Sequence, residues 1–232
     1  MRVAIVENTG ITHHGQVGVA LHEAAARVDI FKPFAGQPLP QDAADFDALV
    51  VFGGEQSALA DHSHPYLPSL AQLMRSFTES NRAVLGICLG SQVLARAYGA
   101  QNLLGGAPEF GWCEVRLTPE GQRDPVLCAL PASFAIFQWH SDTFTLPEGA
   151  TQLARSQTAA QQAFRIGRAT YGTQFHFEAN RAVVADWTRE FPDLTERMHP
   201  GWHSAHPGLA RSQGLAADAT GLALARAFVA RI

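Results

Sequence analysis

The chain has 232 residues, 47% of them hydrophobic, enough to bury roughly 70–75% of the unfolded surface in one large domain without a disulfide or metal staple. Its 17 basic and 21 acidic residues leave a net charge of −4, which excludes a protein whose main task is neutralising a nucleic-acid backbone. Lys32 is the sole lysine, so Schiff-base and phosphate-loop chemistry would both have to run through that one side chain.

The apolar run Val3 to Val6 is cut short by Glu7, too short for a secretory signal. No apolar stretch reaches the length of a membrane span. Cys88, Cys113 and Cys128 are odd in number and have no paired spacing, as expected of reduced thiols. The expected location is cytoplasmic, with no membrane partner.

In chain order, Arg2–Val6 predicts a short buried strand. The Ala-rich segment Val17–Val28 predicts a helix. Asp47–Phe52 is a continuous apolar run that ends in Gly53-Gly54, the pattern of a central parallel strand. Tyr66–Ser80 carries a helical stripe through Leu67, Leu70, Leu73, Met74 and Phe77. Arg82–Ile87 predicts another buried strand, and Leu89–Tyr98 a helix capped by Gly99. Such alternation implies a parallel sheet covered on both faces.

Beyond about Gly105 the pattern changes to shorter strands, at Glu114–Thr118, Phe134–Trp139, Thr151–Arg155, Gln162–Ile166 and Ala169–Phe177, separated by Pro-Glu-Gly turns. From Asn180 the chain predicts helices interrupted at Pro192, Pro200-Gly201 and Pro207-Gly208. The expectation is a single α/β domain over 1–232: a mixed, mostly parallel sheet flanked by helices, core motifs in 47–180 and a helical extension over 181–232.

The strongest local signal is Gly86-Ile87-Cys88-Leu89-Gly90, between a buried strand and a helix. It has the form of a nucleophile elbow with cysteine at its tip. Small flanking residues permit the sharp turn, and the helix N-terminus favours a thiolate. The same five residues also fit a cysteine that is merely a small buried hydrophobe. Gln174-Phe175-His176-Phe177-Glu178 adds weight to the first alternative. If the segment is a strand, period-2 alternation puts His176 and Glu178 on one side, where a carboxylate orients an imidazole toward a thiol.

Further matching segments are Gly53-Gly54, Ser91-Gln92, Phe110-Gly111-Trp112, Phe137-Gln138-Trp139-His140-Ser141-Asp142 and Gln161-Gln162-Ala163-Phe164-Arg165. With the two motifs above they lie in family order from about Asp47 to Asn180, and together they resemble the class I (triad-type) glutamine amidotransferases, in particular the stand-alone, GMP-synthase-like members. The resemblance implies Cys88 as nucleophile, His176 as general base then acid, and Glu178 as its orienter. It implies an oxyanion hole from the N–H groups of Gly54 and Leu89, a substrate contact from Gln92, and substrate α-groups held along Trp139, His140 and Ser141. Two preorganised donors at a developing oxyanion are worth several kcal/mol.

The chain departs from the family pattern at three places. Glu55 stands where proline often follows the paired glycines, and its carboxylate would repel a substrate carboxylate or bind its ammonium. Phe177 replaces a common proline, and Ser91 a small or hydrophobic residue.

Other polar residues predict less. His62, His64, His199, His203 and His206 are expected on a solvated surface and not at a metal, since Pro200-Gly201 breaks the helix that would align His199 with His203. His13 and His14, near the first turn, fit either the mouth of the active site or ordinary loop histidines, the second being expected; Cys113 and Cys128 are expected to be structural, and the four tryptophans packing residues. Asp142 fits either a residue supporting the site or a cap on Thr143–Phe144.

The function expected is hydrolysis of the γ-amide of glutamine, or of a γ-glutamyl compound, through a γ-glutamyl thioester on Cys88. The expected partner is a small-molecule substrate, with no cofactor. If ammonia is passed to an activated acceptor, a separate synthase polypeptide must supply that chemistry. The alternatives are a γ-glutamyl peptidase or hydrolase, and a non-catalytic binding or regulatory module on the same scaffold.

Overall fold

A computed structural model describes residues 1–232. In chain order the elements are β1 (Arg2–Val6), α1 (Gly15–Glu23), β2 (Arg27–Phe31), β3 (Ala48–Val51), α2 (Leu67–Glu79), β4 (Ala83–Ile87), α3 (Leu89–Ala97), β5 (Asn102–Leu103), β6 (Glu109–Leu117), β7 (Ser133–His140), β8 (Thr143–Phe144), β9 (Thr151–Arg155), β10 (Ala163–Ile166), β11 (Thr170–Thr173), α4 (Arg181–Glu190), α5 (Pro192–Met198), α6 (Trp202–Leu209) and α7 (Leu215–Val229).

Nine strands form one sheet in the order β2-β1-β3-β4-β11-β10-β9-β6-β7. The segment β2-β1-β3-β4-β11 is parallel, and only β10 and β6 run against the rest. This is the mixed, mostly parallel α/β sheet expected. The strands β1, β3 and β4 are almost wholly buried, which explains why they read as unbroken apolar runs rather than alternating ones. One face is covered by α2 and α3, whose Leu67, Leu70, Met74, Phe77, Val93 and Leu94 are buried. The other is covered by α1 and α7, clamped together by the Arg226–Glu23 ion pair at 2.6 Å.

Several boundaries differ from expectation. The helix expected over Val17–Val28 ends at Glu23. Ala25 takes a positive φ of 50°, and Arg27–Phe31 pairs with β1 as an edge strand. The strand expected from Glu114 begins at Glu109, where pairing with β7 already starts (Glu109 opposite His140). Pro207-Gly208 does not interrupt the tail. The α6 helix runs through Pro207, widens to a π-helical turn over Ala210–Gly214 and continues into α7, held by core packing of Trp202 and Phe228. The strand expected to reach Phe177 stops at Thr173, with consequences described below. No helix is long and apolar enough to cross a membrane.

Candidate active site

The strand β4 ends at Ile87 and α3 starts at Leu89, so Cys88 alone turns the chain. It does so at φ 52° and ψ −111°, a conformation that costs a non-glycine residue about 1–3 kcal/mol. Its N–H donates to Thr173 O at 2.8 Å, which pins the turn to β11. The flanking glycines allow the close approach. A Cβ on Gly86 would lie 2.5 Å from Gly90 O, and one on Gly90 would lie 2.1 Å from Val51 O. Cys88 is only 7% exposed, yet it lines a cavity of about 290 Å³.

His176 reaches the same cavity by a route different from the one expected. After Thr173 the chain leaves the ladder. Gln174 N–H donates to Gln162 O, and His176 N–H donates to Phe137 O of β7, at 2.9 and 2.8 Å. Gln174–Glu178 is therefore a bridge between two parts of a curled sheet, and period-2 alternation is not what pairs its side chains. His176 and Glu178 are adjacent all the same, with Nδ1 and Oε1 at 2.7 Å, both nearly fully buried. Gln16 N–H anchors the segment from α1 by donating to Glu178 O at 2.9 Å.

The imidazole and Cys88 flank Gly53 from either side: a Cβ there would lie 3.1 Å from His176 Cε1 and 3.5 Å from Cys88 Cβ. With Nδ1 committed to Glu178, Nε2 is the ring nitrogen left to serve the sulfur. Burial alone would push the His176 ring down. The carboxylate of Glu178, and then Cys88, outweigh that and hold it well above its ordinary value, so the ring keeps its second proton. Only one Glu178 oxygen is hydrogen-bonded, so the carboxylate has the imidazole as its one partner.

The N–H groups of Gly54 and Leu89 donate to no protein acceptor. Both residues line the cavity beside Cys88, and the free N–H of Leu89 is one of those that every helix start leaves unpaired. Gln92 also lines it, but its amide is already engaged, donating to Gln174 Oε1 at 3.2 Å and to Asp142 O at 3.4 Å. The Trp139 carbonyl oxygen lies 3.7 Å from Cys88 Sγ. Ser141 and Glu55 are exposed on the cavity wall, and Glu55 accepts from Thr9 Oγ1 at 3.5 Å. Asp142 caps neither Thr143 nor Phe144; its carboxylate accepts from Gly105 N–H at 2.8 Å.

His140 is held by a network that the sequence did not reveal. Its Nδ1 donates to Asp142 O at 3.0 Å, and its Nε2 hydrogen-bonds Glu109 Oε2 at 3.2 Å. Both ring nitrogens are therefore engaged, which fixes the plane of the ring. Gln162 Nε2 donates to the same Glu109 oxygen at 2.6 Å, and Gln138 Nε2 donates to Gln162 Oε1 at 2.9 Å. Three separated motifs thus join in one buried chain that fixes the Trp139–Asp142 wall. Removing Glu109 would strip two buried groups, His140 Nε2 and Gln162 Nε2, of their shared partner, at about 1–3 kcal/mol each. Glu109→Ala is expected to cost about 3–5 kcal/mol in denaturant unfolding; a loss below about 1 kcal/mol would contradict this role.

Other residues fall elsewhere than expected. His13 lines the cavity and pairs with Asp186 of α4 at 2.7 Å, while His14 pairs with Glu7 at 2.9 Å and stacks on Phe52, so neither is an ordinary loop histidine. His199 and His206 pack around Trp202 instead of on a solvated surface, and burial pushes the His206 ring down. Burial, and then Glu109, push the half-buried Cys113 thiol up to about 11, whereas Cys128 is exposed and not structural. Phe191, Leu194 and Met198 form a further cavity wall. The i, i+4 spacing of the last two was visible, but their destination was not.

Comparison with known proteins places these features in a family. The family model for glutamine amidotransferase class-I matches residues 13–183. The glutamine amidotransferase-like protein YfeJ of Salmonella typhimurium is 37% identical over 148 residues, 62% of each chain. Gamma-glutamyl peptidase 3 of Arabidopsis thaliana is 28% identical over 70% of this chain and 67% of that one. A glutamine-hydrolyzing GMP synthase subunit of Natronomonas pharaonis is 27% identical over 76% of this chain and 88% of its own. The crystal structure of a glutamine amidotransferase from Thermotoga maritima superposes with a TM-score of 0.88 at 26% identity, covering all of this chain and 97% of the other. The protein with this strained cysteine turn and its buried His–Glu pair belongs to the class-I glutamine amidotransferase family.

Proposed function

We propose that the protein hydrolyses the γ-amide of glutamine or of a γ-glutamyl compound through a thioester on Cys88. The observation that carries this is the convergence of a cysteine on a strained turn with a carboxylate-paired imidazole, beside two N–H groups that have no acceptor. Sγ, its proton passed to His176, attacks the γ-carbonyl carbon as a thiolate, and the carbonyl electrons move onto oxygen between the N–H groups of Gly54 and Leu89. As the tetrahedral species collapses, the C–N bond breaks and the leaving nitrogen takes the proton held on His176 Nε2. Water then attacks the thioester. His176 accepts its proton, the C–S bond breaks, and glutamate leaves as the sulfur is restored. Glu178 keeps the ring oriented and its charged form favoured throughout.

Two members of the family frame the fate of the amine. Similarity to the GMP synthase polypeptide supports release of ammonia to a separate synthase, and similarity to the gamma-glutamyl peptidase supports free hydrolysis of a substituted amide. Assaying the purified protein for glutamate release from glutamine and from γ-glutamyl peptides tests the shared step. Glutamate is expected from at least one of them. Silence toward all of them would leave a binding module on the same scaffold.

A further inference from the structure

We infer that Phe191, Leu194 and Met198 form a leaving-group subsite that favours γ-glutamyl amides whose nitrogen carries a bulky apolar substituent over free glutamine. The inference rests on the hydrolytic reading above and adds the class of substrate.

The direction of the leaving group follows from the proton it needs. The leaving nitrogen must face His176 Nε2, because that ring supplies its proton. His176 stands edge-on to Trp187, with ring centroids 5.2 Å apart and planes at 78°. A substituent on a nitrogen that faces this ring therefore lies beside Trp187, which lines the same cavity. What it meets next is apolar. The Trp139 ring touches both Trp187 and Phe191, with centroids 5.6 Å apart in each case, so the wall is continuous from the imidazole to the end of α4. Leu194 and Met198 extend it, one turn apart on α5.

The α5 helix is amphipathic in the sense the inference needs. Leu194 and Met198 are half-buried and line the cavity, while Asp193 and Arg197 are exposed and, with Glu55 and Glu190, border an outer recess that Phe191 and Leu194 also line. Apolar surface turned into a solvated cavity is unfavourable until something apolar covers it. An ammonia leaving group covers none of it. An alkyl or aryl substituent covers it and is rewarded only if it travels in the direction His176 dictates. The three residues lie beyond 13–183, the part that matches the family model.

The test is a series of γ-L-glutamyl alkylamides (ethyl, isobutyl and benzyl) compared with L-glutamine. Benzylamine and ammonia have nearly the same basicity, so the comparison of benzylamide with glutamine reads contact more than leaving-group reactivity. With the 232-residue chain, kcat/KM is expected to rise along the series, with the benzylamide about 10–100-fold above glutamine. Leu194→Gln and Met198→Gln, checked by thermal melting, are each expected to lower the benzylamide-to-glutamine ratio about 10-fold. A flat series in the wild type would overturn the subsite while leaving hydrolysis at Cys88 standing. A ratio unchanged in both folded variants would overturn it as well, and should the variants not fold, the wild-type series alone decides. No turnover of any amide would defeat the hydrolytic reading itself, and the subsite with it.

Discussion

Cys88→Ala is expected to lower glutamate release from every γ-amide substrate by about 10⁴-fold or more, because no other group in the cavity can form the thioester. Neither of the other thiols can take over. Cys113 is half-buried, with its thiol pushed up to about 11, and neither it nor Cys128 lines the cavity. The fold should survive, since a small side chain is replaced by a smaller one in a position already set by β4, β11 and the flanking glycines. Cys88→Gly should be equally inactive but more stable than the alanine variant by about 1 kcal/mol, because glycine tolerates the positive φ that Cys88 endures. Activity assays together with denaturant midpoints check both parts. A glycine variant less stable than the alanine one would contradict the claim that the turn is strained.

Glu178→Gln is expected to lower kcat/KM by about 10²–10⁴-fold and to move the alkaline limb of its pH profile to lower pH. The sign follows from His176. Burial alone lowers its affinity for the second proton; Glu178, and then Cys88, reverse that, and the native ring keeps the proton well above its ordinary value of about 6.5. The amide cannot replace the carboxylate's charge, so the ring should deprotonate earlier in the variant. The same pair affects stability. A group with a raised native value contributes fully below its unfolded value of about 6.5, and the contribution is lost as pH rises through the raised native one. The stability gap between wild type and Glu178→Gln should therefore be widest near pH 6 and should narrow in alkali. An unchanged alkaline limb would show that Glu178 does not hold the proton on the ring.

The elbow was legible because its determinants are local: a buried apolar strand, glycines two residues either side of a cysteine, and a helix start. The central strands were legible for a related reason, since burial on both faces leaves an unbroken apolar run. β2 was not. Its sequence Arg27-Val28-Asp29-Ile30-Phe31 belongs to a half-exposed edge strand, and it follows an Ala-rich helix that ends without a glycine or proline to mark the place. The pairing of His176 with Glu178 was expected, but from strand alternation. What produces it is the crossing from β11 to Phe137 of β7, a partner 39 positions away that no local pattern specifies. The Glu109–His140 network and the His13–Asp186 pair lie in the same category, joining residues 31 and 173 positions apart. The apolar stripe on α5 could be read, while the cavity it faces depends on how the tail folds back over the sheet.

The proposed covalent step is tested by quenching the protein in acid during incubation with a γ-glutamyl substrate and mapping any adduct by peptide mass spectrometry. A γ-glutamyl group is expected on the peptide carrying Cys88 in the wild type, and none on the corresponding peptide of Cys88→Ala. A γ-glutamyl group found on Cys113 or Cys128, or steady turnover of a γ-amide by a protein lacking Cys88, would contradict thioester chemistry at the elbow.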